Sequence, residues 1–134
     1  MCGIVGIYLK NKKYHKDLGK FLSGMMNNMS TRGPDSAGFA IYSSEKKNKF
    51  KYSICFTNIN SSELKKNLLK KIKDAKIKVI SDHIVVETSL NPSKVLNIIN
   101  KFENLSLVGY GNAIEIFKQV GNPKDVVKNF NLEK

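Results

Sequence analysis

Residues 1–9 of the chain are MCGIVGIYL, and the interpretation of the whole sequence starts from this stretch. The run is apolar and rich in β-branched residues, which predicts a buried strand that begins at the terminus itself and spans residues 2–9. Gly3 and Gly6 fit a segment that a substrate and other strands approach closely, because glycine has no side chain in the way. Cys2 directly follows the initiator methionine and is small enough to allow its removal.

Removal of Met1 would leave a thiol and a free α-amine on the same residue, Cys2. The thiolate is the nucleophilic form of cysteine, and an α-amine with a pKa of about 7.7–8.0 can accept the thiol proton near neutral pH. The base is then covalently placed beside the nucleophile. The alternative interpretation is that Cys2 is only a small residue at the start of a buried strand.

The composition describes one globular domain with a strongly basic surface. The chain has 134 residues, 41% hydrophobic and 25% charged, with a formal net charge of +12. No apolar run approaches the roughly 20 residues that span a bilayer, and no secretory signal is present, so we expect a cytoplasmic protein without a membrane partner. Arg32 is the only arginine, and the lysines are spread out without interleaved aromatic residues. We therefore expect a solvated surface and no nucleic-acid partner.

The apolar periodicity predicts helices and strands along the whole chain. Four helices are predicted, over residues 14–29, 62–74, 92 to about 102, and 123 to about 130. Six further strands are predicted, at residues 37–42, 50–57, 77–80, 84–88, 105–109 and 113–120. The first two of these strands are expected to form an antiparallel hairpin. Asn91-Pro92 and Asn122-Pro123 mark two helix starts, and Gly109-Tyr110-Gly111 is interpreted as a turn. Cys55 is placed on the more polar face of its strand, and we expect no role for it.

A second motif, TRGPDSAG at residues 31–38, follows the first predicted helix and leads into the next strand. Together with MCGIVG at the terminus, it strongly resembles the class II glutamine amidotransferases. The glutaminase domain of that family belongs to the N-terminal-nucleophile hydrolases. The wider pattern looks most like the amidotransferase subunits related to glutamate synthase.

The resemblance implies an activity and a catalytic residue. Family members hydrolyse the side-chain amide of glutamine through a γ-glutamyl thioester and pass the ammonia to a synthase domain or subunit. Carried over by position, Cys2 is the nucleophile and its α-amine is the general base. Glutamine is then the substrate, and a synthase that accepts ammonia is the expected partner.

The resemblance also implies a supporting role for the second motif. The turn at Arg32 and Gly33 would sit beside the terminus and help hold it, with Gly3 allowing close approach and with Asp35 and Ser36 bracing the turn. Ordinary turn chemistry is the alternative for the last two residues. A surface salt bridge is the alternative for Arg32.

The fold implied by the resemblance is α+β, as part of the four-layer αββα sandwich of the N-terminal-nucleophile hydrolases. We expect residues 1–134 to form a single, incomplete glutamine amidotransferase domain. Residues 1–57 would be the nucleophile-bearing core, residues 58–104 a small α+β insertion, and residues 105–134 the return to the core.

The later motifs of the family do not occur in this sequence. It has no second arginine to hold the glutamine α-carboxylate, no His-Thr pair, and no Asn-Gly pair for the oxyanion hole. One missing oxyanion donor alone lowers the rate by about a hundredfold to a thousandfold. We therefore expect activity to require a complementing C-terminal segment. The alternative is a catalytically silent remnant or binding subunit of an amidotransferase complex.

No metal-ligand spacing and no cofactor motif occurs in the sequence, so we expect no metal and no cofactor in this chain. Any flavin, iron–sulfur cluster or nucleotide would belong to a partner. His15 and His83 match no family position and are expected to be surface or structural residues.

Overall fold

The structure is a computed structural model that describes residues 3–134. Its helices and strands confirm the expected mixed α+β class. In chain order they are the 3₁₀ helix Lys12–Asp17, α1 (Leu18–Asn28), β1 (Ser36–Tyr42), β2 (Phe50–Phe56), α2 (Ser61–Lys71), β3 (Lys76–Ile80), β4 (His83–Thr88), α3 (Pro92–Ile99), β5 (Leu105–Gly111), β6 (Ile114–Val120) and α4 (Pro123–Asn129). None of the helices in the described part of the chain is long and apolar enough to cross a membrane.

The chain forms two compact units. One comprises the residues up to 38 together with residues 118–134, and the other comprises residues 39–117. The strands form a two-stranded sheet of β1 and β6, and a four-stranded sheet with the order β3-β4-β2-β5. The αββα sandwich and the division into core and insertion stay predictions.

The unit of residues 39–117 is built on the four-stranded antiparallel sheet, in which β2 lies between β4 and β5. Tyr52 and Ile54 alternate along β2 and point into a fully buried core on one face of the sheet. Helices α2 and α3 contribute apolar residues at the spacing that keeps them on one helical face. These helical core residues are Leu64, Leu68, Val95 and Ile99.

The opposite face of this sheet is in contact with β6. The backbone N–H of Ile116 donates to the Ser53 hydroxyl oxygen at 2.8 Å. The Lys51 ammonium donates to the Glu115 carboxylate at 2.6 Å. The polar residues of β2 therefore face a second layer of protein rather than open solvent, and their polar atoms have partners there.

The helix starts predicted from the two Asn-Pro pairs are confirmed. The side chain of Asn91 accepts from the Lys94 N–H at 3.0 Å and caps α3. The side chain of Asn122 accepts from the Lys124 N–H at 3.1 Å and caps α4. Helix α3 ends at Ile99, about one turn before the predicted end near residue 102.

The predicted strand over residues 2–9 is wrong for its described part. Residues 3–10 have no regular secondary structure, and the side chains of Ile4 and Tyr8 are 96% and 85% exposed. A β-branched run becomes a strand only when a neighbouring strand pairs with its backbone and covers its side chains. The described strands pair with each other and not with this segment. Met1 and Cys2 lie outside the described residues.

The predicted hairpin of β1 and β2 is also wrong, because β1 pairs with β6. Hydrogen bonds from Gly121 N to Asp35 O and from Ser43 N to Ala113 O, each within 2.9 Å, flank this pair and show that it is antiparallel. The connection between β1 and β2 lacks the two-residue turn that would force them to pair. The partner of β1 is determined instead by contacts between residues that are distant in the sequence.

Gly109 and Gly111 lie within β5 and do not form the predicted turn. A Cβ atom at Gly109 would be 2.6 Å from Ile116 Cδ1, and one at Gly111 would be 2.7 Å from Ile114 Cγ2. Both positions therefore exclude side chains because isoleucines of β6 occupy the space. The turn comes after Gly111, between β5 and β6.

Asp74, which follows α2, ties this helix to the end of β4. Its carboxylate accepts hydrogen bonds from the hydroxyls of Thr88 and Ser89 and from the Ser89 N–H. These bonds, led by that from Thr88, lower the pKa of Asp74 from 3.8 to about 2. A carboxyl group with a lowered pKa stabilises the fold above its ordinary pKa and loses this contribution as the pH falls through the lowered value.

We predict that Asp74→Asn lowers the free energy of unfolding at pH 7 by about 0.5–1 kcal/mol, since the site is exposed and screened by solvent. Urea denaturation of both proteins at pH 7 and at pH 2 measures this difference, which should vanish near pH 2. Asp17→Asn removes the same charge where no cap hydrogen bond is made, and it serves as the control. An equal loss in both variants would contradict the assignment.

Candidate functional site

The residues predicted to support the site follow one another at the end of α1. The N–H groups of Arg32 and Gly33 both donate to the carbonyl oxygen of Met29, at 2.9 Å and 3.3 Å. These bonds turn the chain back on itself directly after the helix. Asp35 follows the turn, and Ser36 is the first residue of β1.

Gly3 passes beside this turn. A Cβ atom at Gly3 would overlap the terminal methyl group of Met29 and would lie 3.7 Å from Arg32 Cδ. The structure thus brings Gly3 and Arg32 together, and the supporting role predicted for them stays a prediction. Cys2, the predicted nucleophile, is bonded to Gly3 but lies outside the described residues, so its catalytic role stays a prediction.

Two hydrogen bonds tie this loop to the connection between β6 and α4. The N–H of Gly121 donates to the carbonyl oxygen of Asp35 at 2.9 Å, and Gly121 has a φ of 129°, a conformation that favours glycine. The side-chain amide of Asn122 donates to the carbonyl oxygen of Ser30 at 3.4 Å. The backbone carbonyl of Asp35 therefore helps hold the loop to this connection, and the bracing role predicted for its side chain stays a prediction.

Sequence reasoning missed Met29 and the second contact of Asn122. Met29 is the last residue of the helix predicted over 14–29, and its terminal methyl group also limits the space at Gly3. Asn122 was interpreted only as a helix cap, and it also reaches the loop after α1. Both contacts join segments distant in sequence, which residue spacing does not reveal.

Two buried polar atoms near the loop have no hydrogen-bond partner among the described residues. They are Asn27 Oδ1 and Ser30 Oγ. A buried polar atom without a partner costs about 1–3 kcal/mol. Both residues belong to the end of α1 and the turn after it, so the polar surroundings of the candidate site are incomplete.

Apolar side chains are exposed in the same unit. Ile4 and Tyr8 belong to the segment before the 3₁₀ helix, and Val120, at the end of β6, is 88% exposed. Exposed large apolar groups of this kind are typical of surfaces that another segment or protein covers.

Cys55 is the other cysteine of the chain. In β2 it lies on the same face as Lys51 and Ser53, as the alternation of the sequence predicted. Burial, together with the charge of Asp82, raises the pKa of the Cys55 thiol above its ordinary value. The thiol therefore stays protonated near neutral pH, and Cys55 is a weak candidate for a nucleophile.

Comparisons with known proteins relate almost the whole chain to one group. The chain is 38% identical over 138 residues to "Glutamine amidotransferase-like protein GlxB" of Rhizobium meliloti (strain 1021), covering 98% of this chain and 45% of that protein. The chain is homologous to glutamine amidotransferase-like proteins. A second relative, "Putative glutamine amidotransferase" of Methanothermobacter thermautotrophicus, is 26% identical over 147 residues, covering 97% of this chain and 47% of that protein.

The chain spans about half the length of these curated relatives. No protein-family model matches the chain, and no solved structure matches it. The relation to glutamine amidotransferase-like proteins is thus carried by sequence similarity that runs through both compact units.

Proposed function

We propose that the chain supplies the nucleophile-bearing part of a class II glutamine amidotransferase. In this proposal it hydrolyses the side-chain amide of glutamine and delivers the ammonia to a synthase partner. The observation that supports the proposal is the position of Gly3, the residue that follows Cys2 in the sequence, beside Met29 and Arg32 of the TRGPDSAG region. The similarity to glutamine amidotransferase-like proteins supports it.

The proposed reaction uses only groups of the first residue for bond making. The Cys2 thiol gives its proton to the α-amine, and the sulfur attacks the side-chain carbonyl carbon of glutamine. The amine returns the proton to the leaving nitrogen, so that ammonia departs and a γ-glutamyl thioester remains. Water then cleaves the thioester, which releases glutamate and restores the thiol.

Arg32 acts in this proposal as a positioning residue. Arg32 Cδ lies 3.7 Å from a Cβ atom placed at Gly3, and in the proposal the guanidinium acts on the α-amine and thiol of Cys2. A nearby cation favours the thiolate of Cys2 and disfavours the protonated α-amine, and both effects favour the reactive pair. The planar guanidinium also holds several donors in a fixed arrangement, which lysine cannot reproduce.

A complementing segment is part of the proposal. The relatives are about twice as long as the matched region, and this chain lacks the arginine and the Asn-Gly pair that the family resemblance calls for. The exposed Ile4 and Tyr8 and the unpartnered Ser30 Oγ mark the surface that such a segment would cover. Burial of these groups would supply part of the binding free energy.

The experiment that tests this function joins the chain to the segment that its relatives contain beyond the matched region. The chain is co-expressed with a polypeptide equivalent to the remainder of the relatives, and ammonia release from glutamine is measured. We expect glutaminase activity in the complex and none in either part alone. A complex that forms, as judged by size-exclusion chromatography, but releases no ammonia would favour the silent binding subunit.

The contact at Gly3 allows a prediction about the position of the terminus. Gly3→Ala should lower kcat/KM for glutamine by about twofold to threefold, because the new methyl group meets the end of the Met29 side chain, which is flexible and can largely move aside. Met29→Ala in the same protein removes that obstacle and should restore most of the loss. Steady-state kinetics of both single variants and the double variant measure how far the effect of Gly3→Ala depends on the Met29 side chain.

Gly6→Ala is the matched control, since a Cβ atom at Gly6 meets nothing within 4 Å. Failure of Met29→Ala to restore any activity to Gly3→Ala would contradict the proposed path of the terminus.

A further inference from the structure

Three side chains of different chemistry converge in the unit of residues 39–117. They are the thiol of Cys55, the carboxylate of Asp82 and the imidazole of His83, and one donor atom from each lies within 4.8 Å of the other two. Sulfur, nitrogen and oxygen donors are the ligands of zinc and similar divalent transition ions. The cluster belongs to neither the predicted nucleophile nor the loop after α1.

The sheet register explains why these residues meet. Cys55 on β2 is paired directly with His83 on β4. Strands β3 and β4 are joined by a two-residue turn between Ile80 and His83, in which Ser81 has a φ of 54°. This turn places Asp82 next to the end of β4, where its carboxylate lies 2.8 Å from His83 Nδ1.

The three residues of the cluster differ in their exposure to solvent. His83 is fully buried, and its ring lies 5.7 Å from the ring of Phe117. The Asp82 side chain is 34% exposed, and Cys55 is half-buried. Asp82 and Cys55 therefore give the cluster a partly exposed side, while His83 lies behind them in the protein interior.

We propose that Cys55, Asp82 and His83 bind one divalent transition ion of the zinc class, with water as the fourth ligand. Tetrahedral zinc requires donor atoms about 3.3–3.6 Å apart, given metal–ligand distances of about 2.0–2.3 Å. The 2.8 Å contact between Asp82 and His83 is slightly shorter than this range. The three donor atoms all lie within 4.8 Å of one another, so binding requires the side chains of Cys55 and Asp82 to adjust while the buried imidazole stays in place.

The donor set determines the class of ion. A thiolate and an imidazole bind zinc, cobalt and nickel well, whereas calcium and magnesium require mostly oxygen ligands. Binding replaces the thiol proton of Cys55 by the metal, and that proton passes to solvent. The inference is independent of the glutaminase proposal, because it uses none of the residues assigned to that reaction.

Cobalt titration of the Cys2→Ala protein tests the site. Cys2 is replaced first because a terminal thiol and α-amine would themselves bind cobalt. We expect one equivalent of Co²⁺ to produce a thiolate-to-cobalt charge-transfer band in the near ultraviolet, which Zn²⁺ then abolishes by displacement. Adding Cys55→Ser should remove the band.

Asp82→Asn provides a second variant, because it changes an exposed turn residue and leaves the buried strands intact. It should keep the band and raise the Kd for Co²⁺ by about tenfold or more. His15→Asn replaces the other histidine of the chain and should leave the Kd unchanged. Absence of the band in Cys2→Ala, or its persistence after Cys55→Ser, would overturn the proposal.

Discussion

Cys2→Ala should abolish glutaminase activity in the completed protein, lowering kcat for ammonia release at least about a thousandfold. The substitution removes the sulfur atom to which the proposal assigns the γ-glutamyl thioester. The α-amine remains as a base, but without the thiol the only remaining reaction is direct attack of water on the glutamine side-chain amide. Rapid quench with labelled glutamine should detect the covalent intermediate in the parent protein and none in the variant.

Cys55→Ser is the matched control, because it removes the other thiol of the chain. The raised pKa of Cys55 keeps that thiol protonated, and its residue lies in the unit of residues 39–117. We expect its ammonia release to stay within about twofold of the parent rate, since no step of the reaction uses it. Comparable losses in Cys2→Ala and Cys55→Ser would contradict the assignment of the nucleophile.

Gly19→Ala should destabilise the chain by about 2–3 kcal/mol, the largest change we expect from a single added methyl group. A Cβ atom at Gly19 would overlap the carbonyl oxygen of Leu132. That oxygen belongs to the backbone after α4, which cannot move aside as the end of a flexible side chain can. Urea denaturation followed by circular dichroism measures the free energy of unfolding.

Gly24→Ala is the control on the same helix. A Cβ atom there meets nothing within 4 Å, so the exchange should stabilise α1 by about 0.5–1 kcal/mol through helix propensity. A lower free energy of unfolding for Gly19→Ala together with a higher one for Gly24→Ala would show that α1 must pack closely against the backbone at Leu132. Destabilisation of similar size at both positions would contradict this account.

Local patterns in the sequence predicted most elements of the fold. The Asn91-Pro92 and Asn122-Pro123 pairs marked helix starts because capping is a contact between near neighbours. The alternation along β2 placed Cys55 on the polar face for the same reason. Each of these features depends on residues within a few positions of each other, which a single sequence displays directly.

Features that depend on distant partners were not predictable in this way. The apolar run that includes Ile4 has the composition of a strand, but it needs a neighbouring strand that the described residues do not provide. Gly109 was interpreted as a turn residue because the pattern does not reveal that Ile116 lies against it. The pairing of β1 with β6 likewise joins two segments that are far apart in the sequence.

The two candidate sites differ in the same respect. The motif at Arg32 and Gly33 was visible because its residues are contiguous, and the structure adds that Gly3 lies beside it. The donors Cys55, Asp82 and His83 gave no recognisable ligand spacing, because the register of β2 and β4 brings them together. The pairing of strands therefore brings together chemical groups whose proximity the spacing of residues in the sequence does not reveal.

The most direct test of the central proposal is mass spectrometry of the completed protein after treatment with a diazo-ketone analogue of glutamine. The account predicts that the mature chain begins at Cys2 and that this residue carries the covalent label, with Cys55 unmodified. Retention of Met1, or a label found on Cys55 in place of Cys2, would contradict the proposal that the first residue supplies both nucleophile and base.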